Sequence, residues 1–594
     1  MNTPTTSLRK ARNFFFWFFF LQVVLFLPGF FFHRPESYFL PFSGMSVPRF
    51  GWKGLVFLND NHHPLRLLAE FFLLSFAALL FWKTPTLRQG IKWLLYLLYP
   101  LAFFYQVYAA GYKAVYGIHP VFIDDWILIR EVLPVFLHSV GLATVVNAVF
   151  LAGGVLLCIA SGVWGIRRLF RSMEAYRKWR WWWAPMTGLF ALTAISTLGF
   201  SGYLETDLLN IPWLAPKIRR SATPTNVFHA HYGQIQTAYG AGLKCPLREK
   251  INVWLLFLEA YGAAAYFGEG IALQQQDLAL QLGDKLAGAG WRSASTYSRA
   301  PVMGGMSWLS FTSGLTGVSI DNQRSYNALL QSRFQFPHMV QFFNTQGYHT
   351  TWISTMKGND ATIQLIPEDS INAFWGYDTL LFYHKIPYQG YRYNGLGGIP
   401  DPYAGGYYKN FIRDHQQAPA FVFFITTSTH GPFYTPPPIL PKWQDLNQFT
   451  PDPRIYQDKL SGSLLERYGQ NARYALESWV EFILQEGNSD DIFILIGDHQ
   501  PGALEYILEG KYDKYATPLH FIAKDSDFID SFLQEGLTPG LLVHPKQAPY
   551  WDHAGLYSRL VRHLINVYGT PDCQDLQVLP RGISQEGNVT KSDP

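Results

Sequence analysis

Beyond about Lys250 the apolar residues come in short blocks rather than in helical stripes. Residues 253–258, 348–354, 420–425, 492–496 and 519–523 are runs of strand length, rich in β-branched and aromatic side chains. A run without polar alternation is the pattern of a strand buried on both faces. Between these runs lie segments with the length and periodicity of helices, residues 463–486 among them. Strands alternating with helices predict a βαβ sheet.

The first third of the chain follows a different pattern. Five apolar runs, at 14–32, 65–82, 91–110, 137–164 and 182–203, have the length of membrane-spanning helices. Arg9, Lys10 and Arg12 precede the first run. Lys83, Arg88 and Lys92 separate the second from the third. Arg167, Arg168, Arg171, Arg177, Lys178 and Arg180 separate the fourth from the fifth. The other loops are poorer in basic residues, and one carries Asp124 and Asp125. An excess of Lys and Arg marks the cytoplasmic side, so the amino terminus is expected inside and everything after residue 204 outside. The first run is too long for the apolar core of a signal peptide, and no small-x-small site follows it. Trp181, Trp182 and Trp183, beside basic residues, suit an interfacial belt.

The predicted organisation is a five-helix transmembrane domain at 1–204, a tether at 205–249, a catalytic α/β domain at 250–580 and a tail at 581–594. Prolines 212, 216 and 224 interrupt the tether. Composition agrees with a membrane segment, since 15% of residues are charged and 17% aromatic, against about 25% charged in an ordinary soluble protein. A net charge of +4 is too small to suggest nucleic acid as a partner. Three cysteines exclude a disulfide scaffold and a Cys-rich zinc module.

The candidate chemistry lies where the strands stop. Run 253–258 ends at Glu259, run 420–425 leads through Thr426 and Ser428 to His430, and run 492–496 ends at Gly497-Asp498-His499. The carboxyl ends of strands in an open α/β sheet are where ligands bind. Taken singly, Glu259 is a helix-capping acid, His430 a turn residue before Gly431-Pro432, and Asp498-His499 a turn with its cap. Taken together, carboxylates and imidazoles on one rim suit zinc or manganese with a position left open for substrate.

A nucleophile is expected near Gly304-Gly305-Met306-Ser307, a glycine turn that opens a short helix. Free N–H groups and the positive end of the dipole there favour a phosphoryl group, and a metal on the hydroxyl would produce an alkoxide. The alternative is a serine N-cap. Ser310, Thr312 and Ser313 are rival hydroxyls, and Ser307 is preferred because it follows the Gly-Gly turn.

Glu259, the hydroxyl after a turn, Ser428-Thr429-His430-Gly431-Pro432-Phe433 and Gly497-Asp498-His499-Gln500-Pro501 resemble, in that order, the alkaline phosphatase–sulfatase superfamily. A multi-helix anchor before the domain resembles its membrane-bound transferase branch, which includes lipoteichoic acid synthases and lipid A phosphoethanolamine transferases. The resemblance implies an alkaline phosphatase-like fold in which Glu259, Ser307, Asp498 and His499 hold the metal and Ser307 is also the nucleophile. It implies that His430 contacts the phosphoryl group or gives a proton to the leaving alcohol. His553, in Trp551-Asp552-His553-Ala554, resembles a late histidine of some relatives and is read either as a ligand of a second metal or substrate, or as a surface turn. Phe374-Trp375-Gly376-Tyr377-Asp378 resembles a structural turn of the family.

The chain departs from both named groups in having serine where they have threonine as nucleophile. Lys357-Gly358-Asn359-Asp360 stands where lipoteichoic acid synthases carry Trp-Asn-Arg-Asp. No cysteine fits the Cys-x-Pro-x-Arg of true sulfatases. Outside the membrane runs only Cys245 and Cys573 are present, and a bridge between them in an oxidising compartment would clip the chain's end to the start of the domain.

These readings lead to a transferase of a bacterial inner membrane, its catalytic domain on the periplasmic or extracellular side. A phospholipid would donate a phosphoglycerol or phosphoethanolamine head group to a glycan or glycolipid hydroxyl through phospho-Ser307. A phosphodiesterase with the same site, and a non-catalytic membrane sensor or scaffold, are the alternatives.

Overall fold

A computed structural model of the chain describes residues 4–32, most of 74–116, 142–173 and, with short breaks, 235–583. The chain divides into two compact units, one reaching Ala222 and the other running from Thr223 to Pro594, which also takes in residues 115–118 and 127–132.

The described part of the first unit includes three long helices: α1 (Pro4–Phe32), α2 (Pro85–Tyr116) and α3 (Leu142–Met173). Phe14, Phe18 and Leu21 of α1 pack with Leu95, Tyr99 and Phe103 of α2 and with Ile166 and Leu169 of α3. Tyr99 donates to the Leu21 carbonyl at 3.0 Å. Gly162 makes room for that ring, since a Cβ there would lie 2.0 Å from Tyr99 Cε1. Among the described residues one helical segment, Ala152–Met173, is long and apolar enough to cross a membrane, and Asn13–Leu25 is apolar but shorter. The runs predicted at 14–32 and 91–110 fall on α1 and α2, and the described part of 137–164 falls on α3. Run 65–82 is described only in part, and run 182–203 lies outside the described residues. Helix α3 continues through Arg167, Arg168 and Arg171, which the sequence pattern assigns to a loop. Apolar length measures the hydrocarbon a helix can cross, whereas the backbone bonds persist beyond it, and Arg168 lies 5.0 Å above the Trp164 ring.

The second unit is built on a nine-stranded sheet. Its strands are β1 (Asn252–Leu258), β2 (Arg292–Arg299), β3 (His349–Ser354), β4 (Thr379–Phe382), β5 (Ala420–Ile425), β6 (Asp491–Gly497), β7 (Ala516–Ala523), β8 (Thr538–Pro539) and β9 (Tyr550–Asp552). The order is β4-β3-β5-β1-β6-β7-β2-β8, with β9 also pairing β2. Strands β4, β3, β5, β1 and β6 are parallel, and β7 runs antiparallel to β6 and β2. Strands β1, β5 and β6 are buried along their whole length, as expected of parallel strands covered on both faces.

Helices α4 (Ala272–Gly288), α5 (Ser307–Thr316), α6 (Asp401–Phe411), α7 (Leu464–Glu486) and α8 (Leu556–Tyr568) supply much of that cover. On one face Trp254 meets Tyr408 of α6 and Phe482 of α7, with ring centroids 5.4 and 5.8 Å away. On the other, Phe311 of α5 meets Phe257 and Phe423 at 6.3 and 5.3 Å. Helix α7 begins with a capping box in which Ser463 Oγ accepts from Glu466 N and Ser463 N donates to Glu466 Oε2, so the predicted 463–486 segment starts where its cap sets it.

Four strands escape the apolar-run reading. Strand β2 (Arg-Ser-Ala-Ser-Thr-Tyr-Ser-Arg) contains no apolar block. It is buried because its hydroxyls are bonded, Ser295 to Gly540 O at 2.6 Å and to His520 Nδ1 at 2.8 Å. Strands β4, β8 and β9 are four residues or shorter. Strand β7 starts at Ala516 rather than 519 because Pro518 interrupts the pattern yet faces Tyr297 beyond the last β6 pair. The predicted turn at 374–378 is present: Gly376 takes φ 68°, and Asp378 accepts from Thr350 N at 2.8 Å.

Cys245 and Cys573 are joined in a disulfide with Cα atoms 5.8 Å apart. Beside it Leu247 bridges to Gly569, and Leu247 N donates to Gln346 Oε1 at 2.9 Å. The last residues of the predicted tether are therefore bonded into the second unit.

Candidate metal centre

Register brings the first two site residues together. In the parallel β1–β6 pair Leu258 stands opposite Gly497, so the next residues, Glu259 and Asp498, leave the sheet side by side. Asp498 N donates to Leu258 O at 3.1 Å. Asp498 Oδ1 accepts from Ala260 N at 2.7 Å and from His499 N at 2.6 Å. Strand β5 on the other side of β1 delivers Thr426, whose Oγ1 accepts from Glu259 N at 3.0 Å.

Ser307 reaches the same point from a loop. Gly304, Gly305 and Met306 have φ of 76°, 144° and 60°, a left-handed run that only glycines adopt without strain. Gly304 N is tied to Gln500 O at 2.8 Å. The run ends with Ser307 as the first residue of α5, and Met306 occupies the N-cap position with no side-chain cap. Ser307 is thus not the N-cap that the sequence pattern allowed. Its hydroxyl donates to Glu259 Oε2 at 2.9 Å and lies 3.2 Å from His499 Nε2. Of its rivals, Ser313 donates to Leu309 O at 2.8 Å and accepts from Ile320 N, while Ser310 and Thr312 are buried inside α5 without a bonded partner.

Glu259, Asp498 and His499 are buried, and one ligand atom of each lies within 4.8 Å of the others. His499 Nε2 is 3.5 Å from Glu259 Oε1 and 3.5 Å from Asp498 Oδ2. His499 Nδ1 donates to Gln500 O at 3.0 Å, which leaves Nε2 as a bare lone pair facing the cluster. Asp498 Oδ2 is buried without any hydrogen-bond donor. Burial first, and then the Asp498 charge, push the Glu259 carboxyl well above its ordinary range. Two carboxylates and an imidazole lone pair converging in a buried space carry charge that needs a cation. The donor set fits a divalent metal ion.

His430 stands close by at the end of a turn, half-buried. Its Nδ1 donates to Gly431 O at 2.6 Å, so Nε2 is the free nitrogen. Burial holds its pKa below the ordinary histidine value, the Gly431 carbonyl works against that, and His499 adds to it.

His553 is fully buried, so the surface-turn reading is corrected: the residue follows β9 and packs behind β6. Its Nε2 donates to Gly497 O at 3.0 Å and its Nδ1 lies 2.9 Å from Ser298 Oγ. Both nitrogens are engaged by protein atoms, and burial lowers the pKa to about 4. Lys357-Gly358-Asn359-Asp360 lies outside the described residues.

Sequence reasoning missed Asp401. This carboxylate, at the start of α6, is buried beneath the loops that follow β3 and β5, and burial raises its pKa to about 6. Its sole local signal is its place between Pro400 and Pro402, ahead of a helix.

Residues 251–526 match the Sulfatase family model. Similar solved structures include the integral membrane lipooligosaccharide phosphoethanolamine transferase A (EptA) of Neisseria meningitidis, at 13% identity and TM-score 0.41, covering 92% of this chain and 95% of that one. The Streptococcus pyogenes phosphoglycerol transferase GacH, in complex with sn-glycerol-1-phosphate, is similar at 13% identity and TM-score 0.36, over 62% of this chain and 85% of that one. The lipoteichoic acid synthase LtaP of Listeria monocytogenes is similar at 15% identity and TM-score 0.33, over 49% and 71%. No curated protein matches the chain.

Proposed function

We propose that the chain is a membrane-anchored phosphotransferase. It moves the head-group phosphate of a phospholipid, phosphoglycerol or phosphoethanolamine, onto a glycan or glycolipid hydroxyl through phospho-Ser307. The observation that carries this reading is the Ser307 hydroxyl, 2.9 Å from Glu259 and 3.2 Å from His499 Nε2 at the amino end of α5. In this reading residues 1–204 form a five-helix anchor in a bacterial inner membrane, 205–249 a tether, 250–580 the catalytic domain outside the cytoplasm and 581–594 a tail. The anchor raises the effective concentration of lipid donor at the site. The Cys245–Cys573 disulfide supports an oxidising compartment for the domain.

Glu259, Ser307, Asp498 and His499 would hold a zinc or manganese ion. Such an ion, when bound, supplies the Lewis acidity that lowers the pKa of the Ser307 hydroxyl. Ser307 Oγ, its proton already lost to solvent, attacks phosphorus as the bond to the glyceride oxygen breaks. The amino end of α5 would offer the positive end of its dipole and backbone N–H groups to the phosphoryl oxygens. His430, protonated at Nε2, gives that proton to the departing alkoxide. In the second half-reaction the acceptor hydroxyl returns a proton to His430 as its oxygen attacks phosphorus and Ser307 Oγ leaves. Because burial lowers the His430 pKa, kcat/KM for the phospholipid falls as pH rises through that value. His553 supports the end of β6 through Gly497 O and takes no part in bond-making.

The test is to incubate the full-length protein in vesicles of phosphatidylglycerol or phosphatidylethanolamine with manganese or zinc, and to weigh the Ser307 peptide. A head-group phosphate adduct is expected, absent in Ser307→Ala, whose diacylglycerol release falls by at least about a thousandfold. Undiminished release in Ser307→Ala refutes the nucleophile. Free head-group phosphate formed in the presence of acceptor glycolipid, with no modified acceptor, makes the protein a phosphodiesterase.

A further inference from the structure

The carboxylate of Asp401 lies beneath the rim of the sheet, fully buried. It accepts four hydrogen bonds. Thr355 Oγ1, just beyond β3, donates to Oδ1 at 2.7 Å, and Thr427 N donates to Oδ1 at 3.0 Å. Ser428 N donates to Oδ2 at 3.1 Å, and Ser428 Oγ donates to Oδ2 as well. Strands β3 and β5 are parallel neighbours with Ser354 opposite Ile425, so one carboxylate joins the segments leaving both. Thr427 and Ser428 are the first two residues of a turn that His430 N closes on Thr427 O at 3.1 Å. His430 leaves from the last position of that turn. Its ring is set further by the bond from Nδ1 to Gly431 O.

We infer that Asp401 is a positioning residue for the transfer, holding the Thr427–His430 turn so that His430 Nε2 is presented to the leaving and entering alcohol oxygens. The inference rests on the transferase reading above. A structural carboxylate in an α/β domain needs partners, but nothing requires three of the four bonds to come from the turn that carries the proton-transfer group. Every partner of Asp401 is a donor, so an amide in its place turns an NH2 toward a hydroxyl or a backbone N–H. The turn then shifts, while Glu259, Ser307, Asp498 and His499 make no hydrogen bond to Asp401; Glu259 feels the Asp401 charge, which raises its pKa, so removing that charge favours the ionised ligand and does not weaken the metal centre. A small displacement of a group that moves a proton costs rate without abolishing binding.

The experiment uses the full-length protein, two phosphodiesters and the variants Asp401→Asn, His430→Ala and the double mutant. One substrate is the phospholipid, whose alkoxide leaving group needs a proton. The other is a p-nitrophenyl phosphodiester, whose leaving group needs none. In Asp401→Asn, kcat/KM, which reports formation of the phosphoserine and not the second half-reaction that both substrates share, is expected to fall on the phospholipid by at least about tenfold more than on the p-nitrophenyl ester. The double mutant is expected to be no slower than His430→Ala. Amide hydrogen exchange at Thr427 and Ser428 should quicken, that at Ala260 and His499 should not, and bound manganese should match wild type. Equal losses on both substrates, additive losses in the double mutant, or loss of manganese would overturn the inference. Where Asp401→Asn does not fold, Ser428→Ala removes one donor and leaves the carboxylate; it should show the same substrate bias at smaller amplitude, and an unbiased loss, or none, counts against Asp401. If wild type releases no diacylglycerol, or Ser307→Ala still releases it, the transferase reading fails instead, and the exchange rates at Thr427 and Ser428 still report whether Asp401 holds the turn.

Discussion

Gly497→Ala places a methyl group where the structure has no room for one, one residue before a carboxylate of the metal centre. A Cβ at this position would lie 1.8 Å from Tyr261 O, 2.9 Å from Tyr261 C and 3.0 Å from Thr517 Cβ. The nearest of these is backbone, and it cannot retreat. Tyr261 N bonds to Leu258 O, Gly262 N to Tyr468 OH at 3.0 Å, and Ala263 N to Ala516 O at 3.1 Å. Restoring ordinary contact at 3.4 Å therefore moves the end of β6 by about 1.6 Å. Asp498 moves with it, although Ala260 N holds its Oδ1 at 2.7 Å. Metal ligands tolerate errors of about 0.2 Å, so the variant is expected to lose at least about a hundredfold in cation affinity. Overpacking should also cost about 1–3 kcal/mol of stability. Isothermal titration of manganese into the full-length protein, alongside thermal melts, measures both. Gly288→Ala is the control, since its Cβ near the end of α4 meets nothing within 4 Å and should stabilise by about 0.5–1 kcal/mol. If Gly497→Ala binds manganese within threefold of wild type and melts with it, the reasoning from register to ligand position is wrong.

Two further predictions concern the domain as a whole. Cys245→Ser with Cys573→Ser opens a bridge across 328 residues, and the midpoint of thermal unfolding should fall by the equivalent of about 2–4 kcal/mol; an unchanged melt would mean the bridge does not constrain the unfolded chain. His520 is buried between β6 and β2, and burial lowers its pKa to about 3. The unfolded chain therefore takes up a proton that the fold refuses, and stability is lost as pH falls from 6.5 towards 3, by up to about 5 kcal/mol. Denaturation with urea at several pH values should show a shallower acid loss in His520→Asn than in wild type; parallel profiles would refute the assignment.

Which features were legible in the sequence depended on whether the interaction that makes them also shapes composition. Strands β1, β5 and β6 are covered on both faces, so burial writes an unbroken apolar run, and the residue that ends each run is conspicuous. Strand β2 is equally central to the fold, between β7 and β9, but its burial is achieved through Ser295 and Ser298 bonded to His520 and His553. Nothing in Arg-Ser-Ala-Ser-Thr-Tyr-Ser-Arg announces a strand. The same pairing hid the environment of His553, whose residue type suggested a ligand or a surface turn but whose partners come from residues 298 and 497. Ser307 was separable from Ser310, Thr312 and Ser313 by the preceding glycines, but only the direction of α5 shows which hydroxyl meets Glu259.

Asp401 marks the limit more sharply. Glu259 and Asp498 could be paired in advance because each ends an apolar run, and two such strands lying in register must place the following residues together. Asp401 ends no run. It lies between two prolines, and the groups that bond to it are 46, 26 and 27 residues away, at Thr355, Thr427 and Ser428. They become neighbours only because β3 and β5 pair in parallel with Ser354 opposite Ile425. A one-residue slip in that pairing would turn the donors to the other face of the sheet and leave a buried carboxylate unsatisfied. Residues that bind the reacting atoms can thus be read from where strands stop, whereas a residue that aims one of them follows from how neighbouring strands are aligned.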